Sequence, residues 1–375
     1  MNRLIRSVAA APSKRRYKAL HNLLFGKRFN NDSARRLLIL FEPNRISYAS
    51  VFPFLDYAQE FRKQYDVEIR FLPVEQALQQ GIQDGLSSAT HVLAQTWLTD
   101  PSDRHERLER LLARMPNGVT WGYMDSFANA DIRWAKTFDS STLYYKKSLF
   151  TDLSRFIEPT YGHTNLSDYY GKLYGVRQKV TNWHVPKSVL SKLRVAPNFL
   201  TDPYLSAELQ ASTRLHMTKK DIDLHARLGG TNAQGWYGEM RRQSARAVDG
   251  LVGLRIAKGT GVSRKAFTQE LQHSKACFSP FGYGELCWRD IEAIAAGAVL
   301  IKPDMSHLRT EPDLYRDGET YIACRWDFAD LNDKVSEILI DKARREQIAT
   351  TANQIAMSYL RDGGPVATYS DLLCS

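Results

Sequence analysis

The sequence contains no apolar run near the roughly 18 residues that a bilayer-spanning helix needs. Behind Arg3 and Arg6 the apolar stretch is only Val8-Ala9-Ala10-Ala11, too short for the core of a secretory signal. A spanning or exported chain is therefore not expected, and the cytoplasm is the expected location. Cysteine is scarce. Cys277, Cys287, Cys324 and Cys374 form no CxxC pair and show no metal-ligand spacing, which argues against a disulfide scaffold and against a zinc site. There is no internal repeat and no low-complexity tract. An Asp-x-Asp pair in a loop, the usual sign of a metal-dependent sugar-nucleotide site, is also missing. Asp221-Ile222-Asp223 has the spacing but falls inside an expected strand, so no metal is expected.

The body of the chain lacks net charge as well. The 375 residues carry 51 Lys/Arg and 41 Asp/Glu, a formal charge of +10. Ten of the basic residues and one acid, Asp32, lie within residues 1–36, leaving 41 basic and 40 acidic residues in the remaining 339. The basicity is thus a local device. Ser13 can cap a short helix running to about Phe25, with Tyr17, Leu20 and Leu24 on one face and Lys14, Lys18 and His21 elsewhere. A basic amphipathic helix suits an anionic membrane surface, so peripheral attachment to the inner face of the plasma membrane is the expectation. A near-neutral body gives no extended phosphate track, so nucleic acid is not the expected partner.

With 43% hydrophobic residues, the chain is long enough for two cores. Apolar runs at Leu37–Phe41, Val67–Leu72, His91–Gln95 and Gly118–Met124 read as strands separated by helical stretches at 49–63 and 103–114. The pattern restarts at Asp221–Arg227 and continues through Gly253–Ala257, Lys275–Ser279 and Ala298–Ile301, with helices expected over 235–248, 263–273 and 285–296. Strand–helix alternation of this kind predicts parallel sheets covered on both faces. The expected architecture is α/β: two doubly wound Rossmann-like domains facing a cleft. A basic segment over 1–36 precedes an N-terminal domain over 37–215 and a C-terminal domain over 216–375, joined near 205–220. Tyr144 to Leu173 breaks the rhythm and reads as an elaborated surface region.

The most informative stretch is Phe278 to Gly297. A strand ends in a loop with Pro280, Gly282 and Gly284, and a helix is expected from Glu285. Glycines permit a sharp turn and close approach to a ligand, and a helix N-terminus suits a diphosphate. On a helix from Glu285, residues Glu285, Arg289 and Glu292 share one face, where a guanidinium can grip phosphate and carboxylates can accept sugar or ribose hydroxyls. The run Ser279-Pro280-Phe281-Gly282, Glu285, Arg289, Glu292-Ala293, Gly297 and Val299-Leu300-Ile301 resembles the donor-binding half of GT-B glycosyltransferases, in particular their exostosin-like and CAP10-like branches. The likeness covers about 220–345. Six residues separate Glu285 from Glu292 here, against seven between the paired glutamates of the large retaining GT-B families.

That resemblance implies roles for further residues. Arg227, beside Gly229 at a strand end, and Lys258, after the next strand, match the Arg/Lys pair that GT-B enzymes without a metal use to neutralise the leaving nucleotide. Lys302, Asp304 and His307 could line the same cleft. For the catalytic base, Asp125 ends the strand Val119–Met124 at the edge where ligands collect, and His163 is a second candidate. Tyr144, Lys146 and Lys147 are candidates for contact with an acceptor or an anionic lipid carrier. The expected function is transfer of a sugar from a nucleotide-sugar co-substrate to a surface glycan or lipid-linked acceptor, with no other cofactor. Two other classes are open: a sugar-nucleotide epimerase, which needs the donor half without an acceptor site, and a nucleic-acid binder acting through the basic N-terminus.

Overall fold

The computed structural model describes residues 28–374, apart from 31–32, 44, 84, 98–101 and 212–218. The N-terminal amphipathic helix expected to end near Phe25 therefore lies outside the described residues, as does part of the expected join near 205–220. In the first half, strands β1 (Arg35–Phe41), β2 (Val67–Pro73), β3 (His91–Gln95), β4 (Thr120–Asp125) and β5 (Leu143–Lys146) lead to β6 (Ser148–Phe150), β7 (Thr160–Tyr161), β8 (Val180–Thr181) and β9 (Leu193–Val195). Six of them form one parallel sheet in the order β2-β1-β3-β4-β5-β9. In the second half, β10 (Ile222–Ala226), β11 (Ile256–Lys258), β12 (Ser274–Phe278), β13 (Val299–Pro303) and β15 (Ile322–Cys324) form a parallel sheet in the order β11-β10-β12-β13-β15. The remaining strand, β14 (Leu308–Thr310), lies between β13 and β15 in the chain.

Residue alternation explains why these strands read as unbroken apolar runs. In β1, Leu37, Ile39 and Phe41 enter one core and Leu38 and Leu40 enter the other, and all five are buried. A parallel sheet covered by helices on both faces has no wet face to alternate toward. Helices Arg45–Asp56 and Ala58–Tyr65 cover one side, with a break at Tyr57 inside the single helix expected over 49–63. Among the described residues no helix is long and apolar enough to cross a membrane.

One correction concerns the stretch read as surface elaboration. Tyr144, Tyr145 and Lys146 form β5 inside the first sheet, and all three side chains are fully buried. The strand is four residues long and mixes tyrosines with lysine, so it carries too weak a hydrophobic signal to be read from sequence.

Several connections hold the halves together. β6 of the first half pairs antiparallel with β14 of the second, bringing Ser148 opposite Thr310 and Phe150 opposite Leu308. The Asn198 amide donates to the Glu311 carbonyl. The end of the chain, helices Gly364–Ala367 and Ser370–Leu373, returns to the first core, where Val366, Tyr369, Leu372 and Leu373 pack with Phe54, Phe61 and Tyr145. The Tyr369 ring lies 4.4 Å from Phe54 and 5.0 Å from Tyr145. Removing a large buried aromatic side chain typically costs about 3–5 kcal/mol. Tyr369→Ala should lower the stability of the first domain by that amount, read by urea unfolding. A loss below about 1 kcal/mol would mean that the C-terminal helices do not support that core.

Candidate functional site

The C-terminal edge of the second sheet gathers the loop Arg227–Gly230 after β10, the loop 279–287 after β12 and the start of helix Trp288–Ala295. That helix begins at Trp288, three residues later than expected, because Pro280, Gly282 and Gly284 hold the preceding segment as a loop. The Gly282 amide donates to the Gly284 carbonyl at 3.0 Å. Asp290 fixes the turn by accepting from the Cys287 amide (3.0 Å), the Ser279 hydroxyl (2.6 Å) and the Tyr315 hydroxyl (2.8 Å), and it pairs with buried Lys302 at 3.2 Å. Lys302 is thus a support for the loop, not a wall of the cleft.

The later helix start separates the three residues expected on one face. Glu285 lies in the loop and is wholly buried. It accepts from the Ala130 amide at 3.1 Å and the Asn165 side-chain amide at 2.5 Å, both in the first domain. Gly284 explains how the loop comes so close: a Cβ there would stand 2.0 Å from the Ala128 carbonyl oxygen. The glycine expected to admit a ligand admits the other domain instead. Glu292 pairs with Arg264 at 2.6 Å, against helix Arg264–Gln272. Arg289 donates to the Arg227 carbonyl at 2.6 Å.

The cations are also redistributed. Arg227 is held by both oxygens of Glu270, at 2.6 and 2.9 Å, and Lys258 is paired with Asp249 at 2.6 Å. Both cations of the Arg/Lys pattern are thus ion-paired in this structure. Two further cations lie at this edge: Arg289, and Arg241 of helix Gly235–Asp249, a residue that no strand-end motif marks. Arg241 is buried and donates to the Gly229 carbonyl (2.7 Å) and the Phe281 carbonyl (3.2 Å). Burial pulls its pKa below the ordinary arginine value, and the neighbouring Arg289 charge adds to the effect. Among the described residues neither guanidinium forms an ion pair with a carboxylate, and the Arg289 Nε is buried with no partner. Two adjacent cations with unused donors at the strand ends make a place for an anion. Beside them Gly229 is open, with nothing near the position of a Cβ, while at Gly230 (φ +84°) a Cβ would collide with the Tyr237 hydroxyl.

On the facing domain, Asp125 is buried and fully engaged. It accepts from the Tyr144 hydroxyl (2.6 Å) and the Phe127 amide (2.7 Å), and it pairs with Lys146 at 3.2 Å. No helix follows for it to cap. These partners hold the loop 126–131 against the end of β4. Tyr144 and Lys146 are themselves buried. Lys147 is buried 4.8 Å from the Phe199 ring, and its pKa is pushed down to about 8 by burial and then by Lys146. His163 is exposed, with its ring 6.0 Å from Trp183. His307 sits between Phe150 and Trp326; both ring nitrogens are buried without partners, and burial drives its pKa down to about 4. The Asp304 carboxylate accepts from Ser306, and its carbonyl accepts from the Trp326 indole at 2.9 Å.

The carboxylate that sequence reasoning missed is Asp131. It is buried, accepts from both the backbone and side-chain amides of Asn165 (3.1 and 3.3 Å), and has its pKa raised by burial. Asn165 bridges it to Glu285. Two of the four polar residues in Asp125–Asp131 are carboxylates, and only the fold shows which partners each one meets. Among the described residues no group of three or more His, Cys, Asp or Glu side chains could hold a metal ion.

Glu285 is pushed up from 4.5 to about 7, first by burial and then by Asp131. A carboxyl whose pKa is raised by folding favours the native state most below its unfolded value, near pH 4.5. That contribution is lost as the pH climbs to about 7, an effect of up to about 3 kcal/mol. Thermal midpoints should therefore fall between about pH 5 and 7.5, and Glu285→Gln should flatten the fall. Parallel profiles for the two proteins would assign the titration to another group.

The sequence matches no known protein family and no curated protein. The structure does have similar folds among solved proteins. An alpha-glucosyltransferase in complex with UDP and a 13-mer DNA containing an HMU base aligns with a TM-score of 0.52 at 8% identity, over 92% of this chain and all of that one. The alpha-glucosyltransferase in complex with UDP aligns with a TM-score of 0.51 at 8% identity, over 91% of this chain and all of that one. Two facing parallel-sheet domains, matched over nearly the whole chain, are the GT-B fold of glycosyltransferases.

Proposed function

We propose that the chain transfers a glycosyl group from a nucleoside-diphosphate sugar to a hydroxyl of a glycan or lipid-linked acceptor. The observation that carries this reading is the Arg241–Arg289 pair, two guanidiniums free of carboxylates at the strand ends beside open Gly229. In the proposed reaction the bond between the anomeric carbon and the phosphate oxygen breaks. Its electron pair leaves with the nucleotide, and Arg241 and Arg289 stabilise the charge without a metal. The acceptor oxygen bonds to the anomeric carbon, and its proton passes to a carboxylate. Asp131 is the candidate: it lines the cavity between the halves, and burial raises its pKa. The loop carrying Glu285 aligns sugar against acceptor by closing on the first domain.

A charge-assisted bond to phosphate is worth about 1.5–3 kcal/mol. Arg289→Ala and Arg241→Ala should each weaken nucleotide binding by roughly 10- to 150-fold, measured by calorimetry with the best ligand among UDP, GDP, CMP and dTDP. Unchanged affinity in both variants would remove the donor site from this edge. Nucleotide release that requires an added acceptor distinguishes transfer from epimerisation.

We also propose that the chain works at an anionic membrane surface. Support comes from residues 1–27, with seven Lys/Arg and no acid, and from where they join the fold. Phe29 belongs to the same buried cluster as Val74 and Ala77, and a groove beside Ala77, Leu78 and Gly81 is edged by exposed Arg107, Arg110 and Arg114. Removing residues 1–27 should abolish sedimentation with phosphatidylglycerol vesicles while leaving nucleotide binding intact. Sedimentation that persists would show that the segment is not what holds the chain to the vesicle.

A further inference from the structure

Between the halves lies a cavity of about 570 Å³, a size typical of small-ligand sites. Its walls come from the first-domain segment 150–172, from Asp131, and from Arg325, Trp326 and Asp327 just after β15 of the second sheet. Two residues tie it to the donor loop. Asp131 and Asn165 line the cavity, and the same Asn165 side chain donates to Glu285 at 2.5 Å. The cavity floor is thus one side chain away from the loop that closes over the donor.

The lining chemistry is specific. Four carboxylates face three cations, and two of those cations are already neutralised: Lys172 by Asp168 at 2.8 Å and Arg325 by Asp327 at 2.6 Å. The third, Arg155, lies 4.5 Å from the Phe150 ring. Glu158 is exposed with no ion pair among the described residues. A phosphorylated or sulfated chain entering here would meet unpaired carboxylates and only one unpaired cation. Hydroxyl groups, in contrast, donate well to carboxylates. The aromatic wall is rigid. The Trp326 indole is anchored to the Asp304 carbonyl at 2.9 Å, and half-exposed Tyr169 meets it edge to face at 4.9 Å. Such rings offer a flat apolar surface to the C–H face of a sugar.

We infer that this cavity is the acceptor site and that it selects a neutral saccharide end, its hydroxyls held by Asp131 and Glu158 and its apolar face laid on Tyr169 and Trp326. The inference rests on the glycosyl-transfer reading and deepens it by naming the acceptor class. It sets this chain apart from a transferase that acts on a polyanion, because the charge at the cavity has the wrong sign for one.

The test uses the full chain and saturation-transfer NMR with maltose, cellobiose, lactose and chitobiose, against a sulfated heparin disaccharide and a thymidine 13-mer. At least one neutral disaccharide should bind. Tyr169→Ala and Glu158→Gln should each weaken that binding by about three- to tenfold, the scale of one aromatic or hydrogen-bonding contact. Tyr169→Phe, which keeps the ring, should restore it. Binding of the anionic probes alone, or neutral binding that both variants leave unchanged, overturns the assignment. Nucleotide titration of the wild-type chain separates the two proposals. Nucleotide binding without saccharide binding defeats the cavity assignment and leaves the transfer reading. Saccharide binding with the expected variant pattern but no nucleotide binding keeps the cavity as a saccharide site and defeats the transfer reading.

Discussion

A carboxylate taken out of water costs several kcal/mol unless hydrogen bonds replace its hydration. Glu285 is such a carboxylate, and it stands where the two domains meet. Its hydration is replaced by bonds from the Ala130 amide and the Asn165 side-chain amide, both on the opposite domain. The arrangement requires the loop to lie flat against Ala128, which only a glycine at 284 permits. It also requires Asn165 to be held, and Asn165 is held by Asp131. Removing any of these would leave a buried polar group unpaired. The interface, the loop after β12 and the cavity floor therefore form one hydrogen-bonded unit. Its residual cost appears as a glutamate that keeps its proton up to about pH 7.

Charge pairing decides which cations remain for a ligand. At the ends of β10 and β11, Glu270 and Asp249 occupy Arg227 and Lys258. On the helix that follows β10, Arg241 has only carbonyl partners, and Arg289 likewise. Carbonyl dipoles orient a guanidinium without cancelling its charge, so the two arginines stay positive and directed while their partners nearby are neutralised. Asp125 and Asp131, six positions apart, differ in what engages them: Tyr144, Lys146 and a local amide for the first, the Asn165 amides for the second.

The cavity between the halves exists because β6 and β14 join the domains along one side, while the segment 150–172 folds over toward Trp326. It carries ion pairs of its own, so its character comes from the residues left unpaired and from its aromatic wall rather than from net charge.

The sequence by itself determined the two α/β halves. Strands buried on both faces must be apolar throughout, and such runs separated by amphipathic stretches are visible in any parallel-sheet protein. It also marked the loop after β12, through its prolines and glycines, and the electrical neutrality of the body. It did not mark β5, where Tyr144, Tyr145 and Lys146 are buried by partners distant in the chain. It placed the helix start at Glu285 because the spacing to Arg289 and Glu292 fits a helix; the structure starts it at Trp288, where Asp290 can hold the Cys287 amide. Which carboxylates and cations are spent on one another was decided by tertiary structure alone. The hydrogen bonds that engage these carboxylates span 19 residues from Tyr144 to Asp125 and 155 from Ala130 to Glu285, and no local pattern encodes a contact at that range.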